Sequence, residues 1–218
     1  MLTVMPWPDV RVAMSRSPQR PKSITRAAPI IETMPHVIEP ATSARAKCRG
    51  CDLKIDKGEL RFGERQPNAF GEGEMTLWFH VPCAAFKRPE PFLEVARESA
   101  EPAVTALIST AEDGIAHRRL PRVNGAERAK TGRAHCRSCR EIIEAGTWRI
   151  ALTFFEEYRF APSGFIHAAC AADYFETIEI LDRVVHFSPD LDRSDLDDLA
   201  RALRAKRAAP DASVNRSE

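Results

Sequence analysis

Six cysteines and two of the six histidines fall into one pattern written twice. Cys48-x2-Cys51 is followed, after 28 residues, by His80-x2-Cys83, and Cys136-x2-Cys139, after 27 residues, by His167-x2-Cys170. No other cysteine occurs in the chain. Each set offers three thiolates and one imidazole, a complete tetrahedral shell for one Zn²⁺. Disulfides are the competing use of cysteine. They fit poorly, because each set holds an odd number of thiols and no apolar h-region marks a secretory leader. A lone Cys-x2-Cys also serves redox chemistry. A His-x2-Cys returning at a matched distance, twice, points to metal, so two structural zinc ions are expected.

Ligands so far apart must be delivered by the elements between them. Asp56-Lys57-Gly58 reads as a turn leading into a strand through Leu60, Arg61 and Phe62. Leu77-Trp78-Phe79 reads as a strand ending on His80, and Cys83 as the opening of a short helix. The second unit repeats this beyond the ligands: Ala-x3-Arg-Ala-x-Cys-Arg-x-Cys occurs from Ala41 to Cys51 and again from Ala129 to Cys139. Ile55 matches Ile143, Gly58 matches Gly146 and Arg61 matches Arg149, which points to internal duplication. The fold class expected is small α+β zinc-stabilised modules, each a short antiparallel sheet plus helices. Trp78 and Phe165, two residues before each histidine, read as core.

Between and around the units the signals are weaker. Seven of the sixteen prolines lie in residues 1–40, which read as a disordered N-terminal segment. The first unit spans 41–97, a helical and basic linker 98–125, the second unit with a C-terminal helix 126–205, and a disordered tail 206–218. Ala103, Leu107, Ile108 and Ala111 have helical spacing, with Gly114 as the stop. Ser194-x-x-Asp197 reads as a capping box for a helix carrying Leu196, Leu199 and Leu203 on one face. A net charge of +1, 44% hydrophobic and 7% aromatic residues favour two small metal-stapled modules joined by linkers over one large core. Modules of about 60 residues are marginal without such a staple. No apolar run approaches the ~20 residues that span a bilayer, so the reading is a soluble protein with no membrane partner.

Both units resemble the poly(ADP-ribose) polymerase-type (PARP-type) zinc finger, the break-sensing module of those polymerases and of one vertebrate DNA ligase. The resemblance is carried by Ser43 to Cys51, Gly58 to Arg61, Trp78-Phe79-His80-x2-Cys83, and in the second unit by Lys130 to Cys136, Arg149 and His167-x2-Cys170. It implies two tandem C2HC fingers. It also implies binding to nicks, gaps and ends of DNA with little sequence preference, through phosphate contacts and stacking on an exposed base pair. By position, Arg45 and Arg133, three residues before the first ligand, and Arg61 and Arg149, thirteen after it, become phosphate contacts. Phe70 and Met75 in the first unit, and Tyr158 and Phe160 in the second, become stacking candidates. Guanidinium forks match phosphate oxygens, and stacking on a base is worth about 1–3 kcal/mol.

The two units differ in charge. Residues 41–97 carry ten Lys/Arg against eight Asp/Glu, and residues 126–188 eight against nine. Glu156 and Glu157 sit in the second stacking loop, so the first unit is expected to carry more DNA affinity. From Arg118 to Arg140, eight basic residues face a single acidic one, Glu127, a stripe suited to phosphate. Both metal shells are full and no Gly-rich phosphate loop is present, so the reading is a non-enzymatic module with no small-molecule substrate. Its partners are broken DNA and a repair enzyme or another protein. The alternative is a zinc-stabilised adaptor for protein or RNA. The location follows as intracellular: nucleus in a eukaryote, nucleoid or cytoplasm in a bacterium.

Overall fold

The structure, a computed structural model, describes residues 36–68 and 71–205. It contains two three-stranded antiparallel sheets of the same design. In the first, β1 (Val37–Pro40), β2 (Leu60–Pro67) and β3 (Glu74–His80) lie in the order β1-β2-β3. The second sheet is built from β4 (Val123–Arg128), β5 (Trp148–Glu156) and β6 (Arg159–His167), in the order β4-β5-β6.

The turns that set this up are shared. Gly58 and Gly146, both at positive φ, donate to the carbonyls of Ala41 and Ala129, 2.8 Å in each case. A side chain at either position would strain that left-handed backbone. Strand alternation then sends Phe62, Leu77 and Phe79 into the first core, where Phe62 meets Phe79 and Phe92 at ring centroid distances of 6.1 and 5.9 Å. Ile150, Leu152 and Ile166 do the same in the second.

Helices follow each sheet: α1 (Val81–Lys87), α2 (Pro89–Ala96), α3 (Pro102–Thr105) and α4 (Ile108–Ala116) after the first. After the second come α5 (Ala171–Phe175), α6 (Leu181–Phe187) and α7 (Arg193–Arg204).

Several expectations are corrected. Residues 37–40, read as disordered, form β1, because Val37 to Pro40 pair with Gly63 to Leu60. The 98–125 segment is more than a linker: α4 packs on α1 and α2, and Val123 already belongs to the second sheet. Gly114 does not stop α4. It lies inside the helix, where a Cβ would stand 3.2 Å from Pro89 Cγ, so it allows a close approach to α2. The cap of α7 is Asp192, whose carboxylate accepts from Asp195 N–H at 2.8 Å, two residues before the expected Ser194. Leu199 and Leu203 are buried as expected. Phe70, residues 1–35 and residues 206–218 lie outside the described residues.

The two cores are not independent beads. Arg183 of α6 is 2% exposed and donates to Phe86 O (3.0 Å) and Thr110 O (2.8 Å) of the first module. Lys87, also 2% exposed, donates to Val123 O (2.7 Å) and Asn124 Oδ1 (2.9 Å) of the second. Burial pulls the Lys87 ammonium down to about 7. The β5–β6 hairpin completes the seam. Phe160 stands edge-on to Phe79 at 6.4 Å, and Arg88, paired with buried Glu64, lies 4.0 Å from the centroid of the Phe155 ring.

Candidate metal centres and nucleic-acid interface

In each module the ligand atoms of the tetrad lie within 4.8 Å of one another. The first pair of ligands sits in a tight knuckle. Cys48 N–H donates to Leu53 O (2.8 Å) and Asp52 N–H to Cys48 O (2.9 Å), and the second module repeats both bonds from Cys136 to Glu141 and from Arg140 to Cys136. Asp52 and Arg140 occupy the same left-handed conformation, with φ of 62° and 71°. The second pair comes from the end of β3 or β6 and the helical turn after it.

The donor set fits zinc. With tetrahedral Zn–S and Zn–N bonds, sulfur and nitrogen should stand about 3.6 Å apart. His80 Nδ1 lies 3.3 Å from Cys51 Sγ and 3.9 Å from Cys83 Sγ, and His167 Nδ1 lies 3.4 and 3.8 Å from Cys139 and Cys170. The far nitrogens donate to backbone carbonyls, His80 Nε2 to Lys54 O and His167 Nε2 to Ile142 O, both at 3.1 Å. Those bonds fix the tautomer that leaves each Nδ1 lone pair free for metal. Amide N–H groups of Gly50 and His80 point at Cys48 Sγ, and that of His167 at Cys136 Sγ, supporting thiolate charge.

Among themselves the thiols cannot all ionise. Hydrogen bonds from Cys51 and then Cys83 pull Cys48 down to about 3, while Cys48 and Cys51 push Cys83 well up. A divalent cation removes that competition. Each module therefore holds one structural zinc.

A row of side chains crosses each sheet beside the metal. In the first, Glu39, Arg61 and His80 are cross-strand neighbours. Arg61 donates to Glu39 at 2.6 Å and its guanidinium lies 3.5 Å from the Trp78 ring centroid. In the second, Arg149 bonds Glu127 and lies 3.7 Å from the Phe165 ring centroid, with His167 beside it. The two arginines are only 7% and 9% exposed. They are internal to the sheet row, and Trp78 and Phe165 are half-buried platforms for them rather than deep core. Sequence reading missed the partners Glu39 and Glu127. The signal was available, since each stands nine residues before the first cysteine of its unit.

Arg45 and Arg133 are exposed. A concavity beside the first knuckle is lined by Arg45, Lys47, Arg49, Asp52, Thr76 and Trp78, with a volume of about 380 Å³. Among the described residues, the stacking candidates Met75, Tyr158 and Phe160 do not line it. Met75 lies within β3, half-buried against the first core. Tyr158 and Phe160 are corrected as free loop residues. Glu157 and Tyr158 form the positive-φ turn of the β5–β6 hairpin, and Tyr158 and Phe160 both pack against the first module's core.

The family model for the "Poly(ADP-ribose) polymerase and DNA-Ligase Zn-finger region" matches residues 39–104. That segment is a PARP-type zinc finger. The poly [ADP-ribose] polymerase of Sarcophaga peregrina is 33% identical over 142 residues, 56% of this chain and 14% of that protein. That of Drosophila melanogaster is 27% identical over 140 residues, with the same shares. The poly [ADP-ribose] polymerase 1 of Caenorhabditis elegans is 38% identical over 52 residues, 24% of this chain and 6% of that protein. The chain thus spans 14% of the length of the first two relatives. The second module repeats the tetrad, the knuckle and the sheet row of the first. Among the described residues no helix is long and apolar enough to cross a membrane.

Proposed function

We propose that this chain binds DNA in a zinc-dependent manner and recognises strand breaks with little sequence preference. The observation that carries the reading is the cationic concavity beside the first zinc, where Arg45, Lys47 and Arg49 surround the half-buried Trp78 ring. Guanidinium and ammonium groups there suit phosphate oxygens, and the exposed part of an indole suits a base face uncovered at a break. The similarity to poly(ADP-ribose) polymerase finger sequences supports it. In this reading Arg45 contacts phosphate directly. Arg61, held by Glu39, positions Trp78 and adds charge from behind; Arg149 has the same part beneath Phe165.

The chain acts as a binding module, marking or protecting ends and recruiting a repair enzyme, rather than as a catalyst. Four protein ligands per zinc leave no open coordination position, the arrangement of a structural site. Its place of action is wherever the cell keeps its DNA. The adaptor reading is favoured by one feature: Glu156 and Glu157 of the β5–β6 hairpin are exposed and carry negative charge, which repels phosphate.

The test is an anisotropy titration of zinc-loaded protein against two hairpin-closed duplexes, identical except for one nick. Tighter binding to the nicked form, weakened by Arg45→Ala, is expected. Equal binding to both forms would sink break recognition and leave the adaptor.

A further inference from the structure

The same place on the second module is built differently. A cleft of about 400 Å³ beside its knuckle is lined by Arg119, Arg122, Arg137 and Arg140, with Ser138, Ser163 and Tyr174, and no carboxylate lines it. Its arginines come from two separated stretches. Arg119 precedes and Arg122 ends the 3-10 turn Leu120–Arg122 before β4, and Arg137 and Arg140 follow the two knuckle cysteines.

The first pair is held in place by Tyr174. Arg122 Nη1 donates to its hydroxyl at 3.1 Å and Arg119 Nη1 to its backbone carbonyl at 3.0 Å. Arg137 packs over Gly164, where a Cβ would come within 2.9 Å of Nε. Two of the four guanidinium groups are therefore held by hydrogen bonds, and a third lies over the glycine.

Two comparisons argue against a merely structural cause. A zinc with three thiolates and one neutral imidazole carries a net charge of −1, so four guanidinium groups exceed what the knuckle can balance. The first knuckle, with an identical shell, carries Asp52 where the second carries Arg140. The zinc frame does not require the cluster.

Clustered like charges with two hydroxyl donors and no counter-charge suit a compact polyanion. We propose that this cleft binds a phosphate monoester, a dianion that four guanidinium forks and the Ser138 and Ser163 hydroxyls can surround. Its volume leaves room for the sugar that bears the phosphate. Assigning the phosphate to a nucleic-acid end rests on the break-binding reading above; the phosphoryl chemistry does not.

The test uses the full zinc-loaded chain. Two nicked hairpin-closed duplexes, with a 5′-phosphate or a 5′-hydroxyl at the nick, are titrated by anisotropy, and adenosine monophosphate is titrated separately by calorimetry. The phosphorylated nick is expected to bind about tenfold tighter. Arg137→Gln with Arg140→Gln should erase that difference, while Arg193→Gln with Arg204→Gln, an equal charge change on exposed positions of α7, should keep it. Arg122→Gln, which leaves the knuckle sequence unaltered, serves where the double variant fails to retain two zinc ions.

Adenosine monophosphate binding that these cleft variants abolish, without discrimination between the nicks, supports the cleft and assigns it to a free nucleotide. Such nucleotide binding without any preference for nicked over closed duplex keeps the cleft and sinks the break reading. No phosphate discrimination and no nucleotide binding in the unaltered protein overturns the cleft, whatever the nick preference.

Discussion

Around the two zinc sites the backbone is nearly the same and the surface is not. Both modules repeat the knuckle bonds, the glycine turn and the carboxylate–arginine–histidine row. Yet Trp78 in one is Phe165 in the other, and Asp52 in one is Arg140 in the other. The metal shell constrains only the atoms that converge on it and the amides that bond its thiolates. Outward side chains are free to diverge. The second module has used that freedom twice, turning its hairpin inward against its partner and gathering arginines beside its knuckle.

The strongest way to break the comparison is to remove metal. A structural zinc contributes roughly 10–16 kcal/mol, as much as a domain's whole stability of about 5–15 kcal/mol. Chelation is expected to unfold both modules. Cys136→Ala should lose one zinc and also lower the melting temperature of the first module, because Arg183 and Lys87 tie the two together. Calorimetry decides; a first-module transition unmoved by Cys136→Ala would make the modules independent.

Arg183→Met tests the seam itself. It leaves the carbonyls of Phe86 and Thr110 without their buried donor, which should cost about 2–4 kcal/mol. A single melting transition should split into two. An unchanged single transition would place the coupling elsewhere.

Lys87 gives the seam a pH signature. Its value falls from 10.5 to about 7 on folding, chiefly through burial. Between those values the unfolded chain binds more protons than the native one, so stability should rise with pH across that window, with the full cost of the buried charge present below it. Lys87→Met should flatten the climb in denaturant melts from pH 7 to 10. The same slope in both proteins would refute this role.

The smallest effect sharpens the functional contrast. Arg45→Ala should weaken nicked-duplex binding by about threefold to tenfold and lower the salt slope by about one. Arg133→Ala should do less, since its module acts through the other arginines. Equal losses would erase that ranking.

Much of this was legible in advance. The tetrads, the glycine turns, the strand into His80 and the internal repeat are local: they follow from residue type, spacing and the stereochemistry of zinc. Even Glu39 and Glu127 could have been found by extending the repeat upstream. What lay beyond the sequence depends on long-range partners. β1 is too short to announce itself and exists because β2 pairs with it. Whether Arg61 faces solvent is set by strand register, which aligns it with Glu39 and His80. Tyr158 and Phe160 look like loop aromatics until the first core is seen beneath them. Arg122 and Arg137 become neighbours only once Tyr174 and the knuckle are folded together. The sequence by itself determined two zinc frames, because coordination is satisfied within each repeat. Only the tertiary structure decided which charges face outward and how the frames join, because those outcomes belong to pairings between residues that no local spacing encodes.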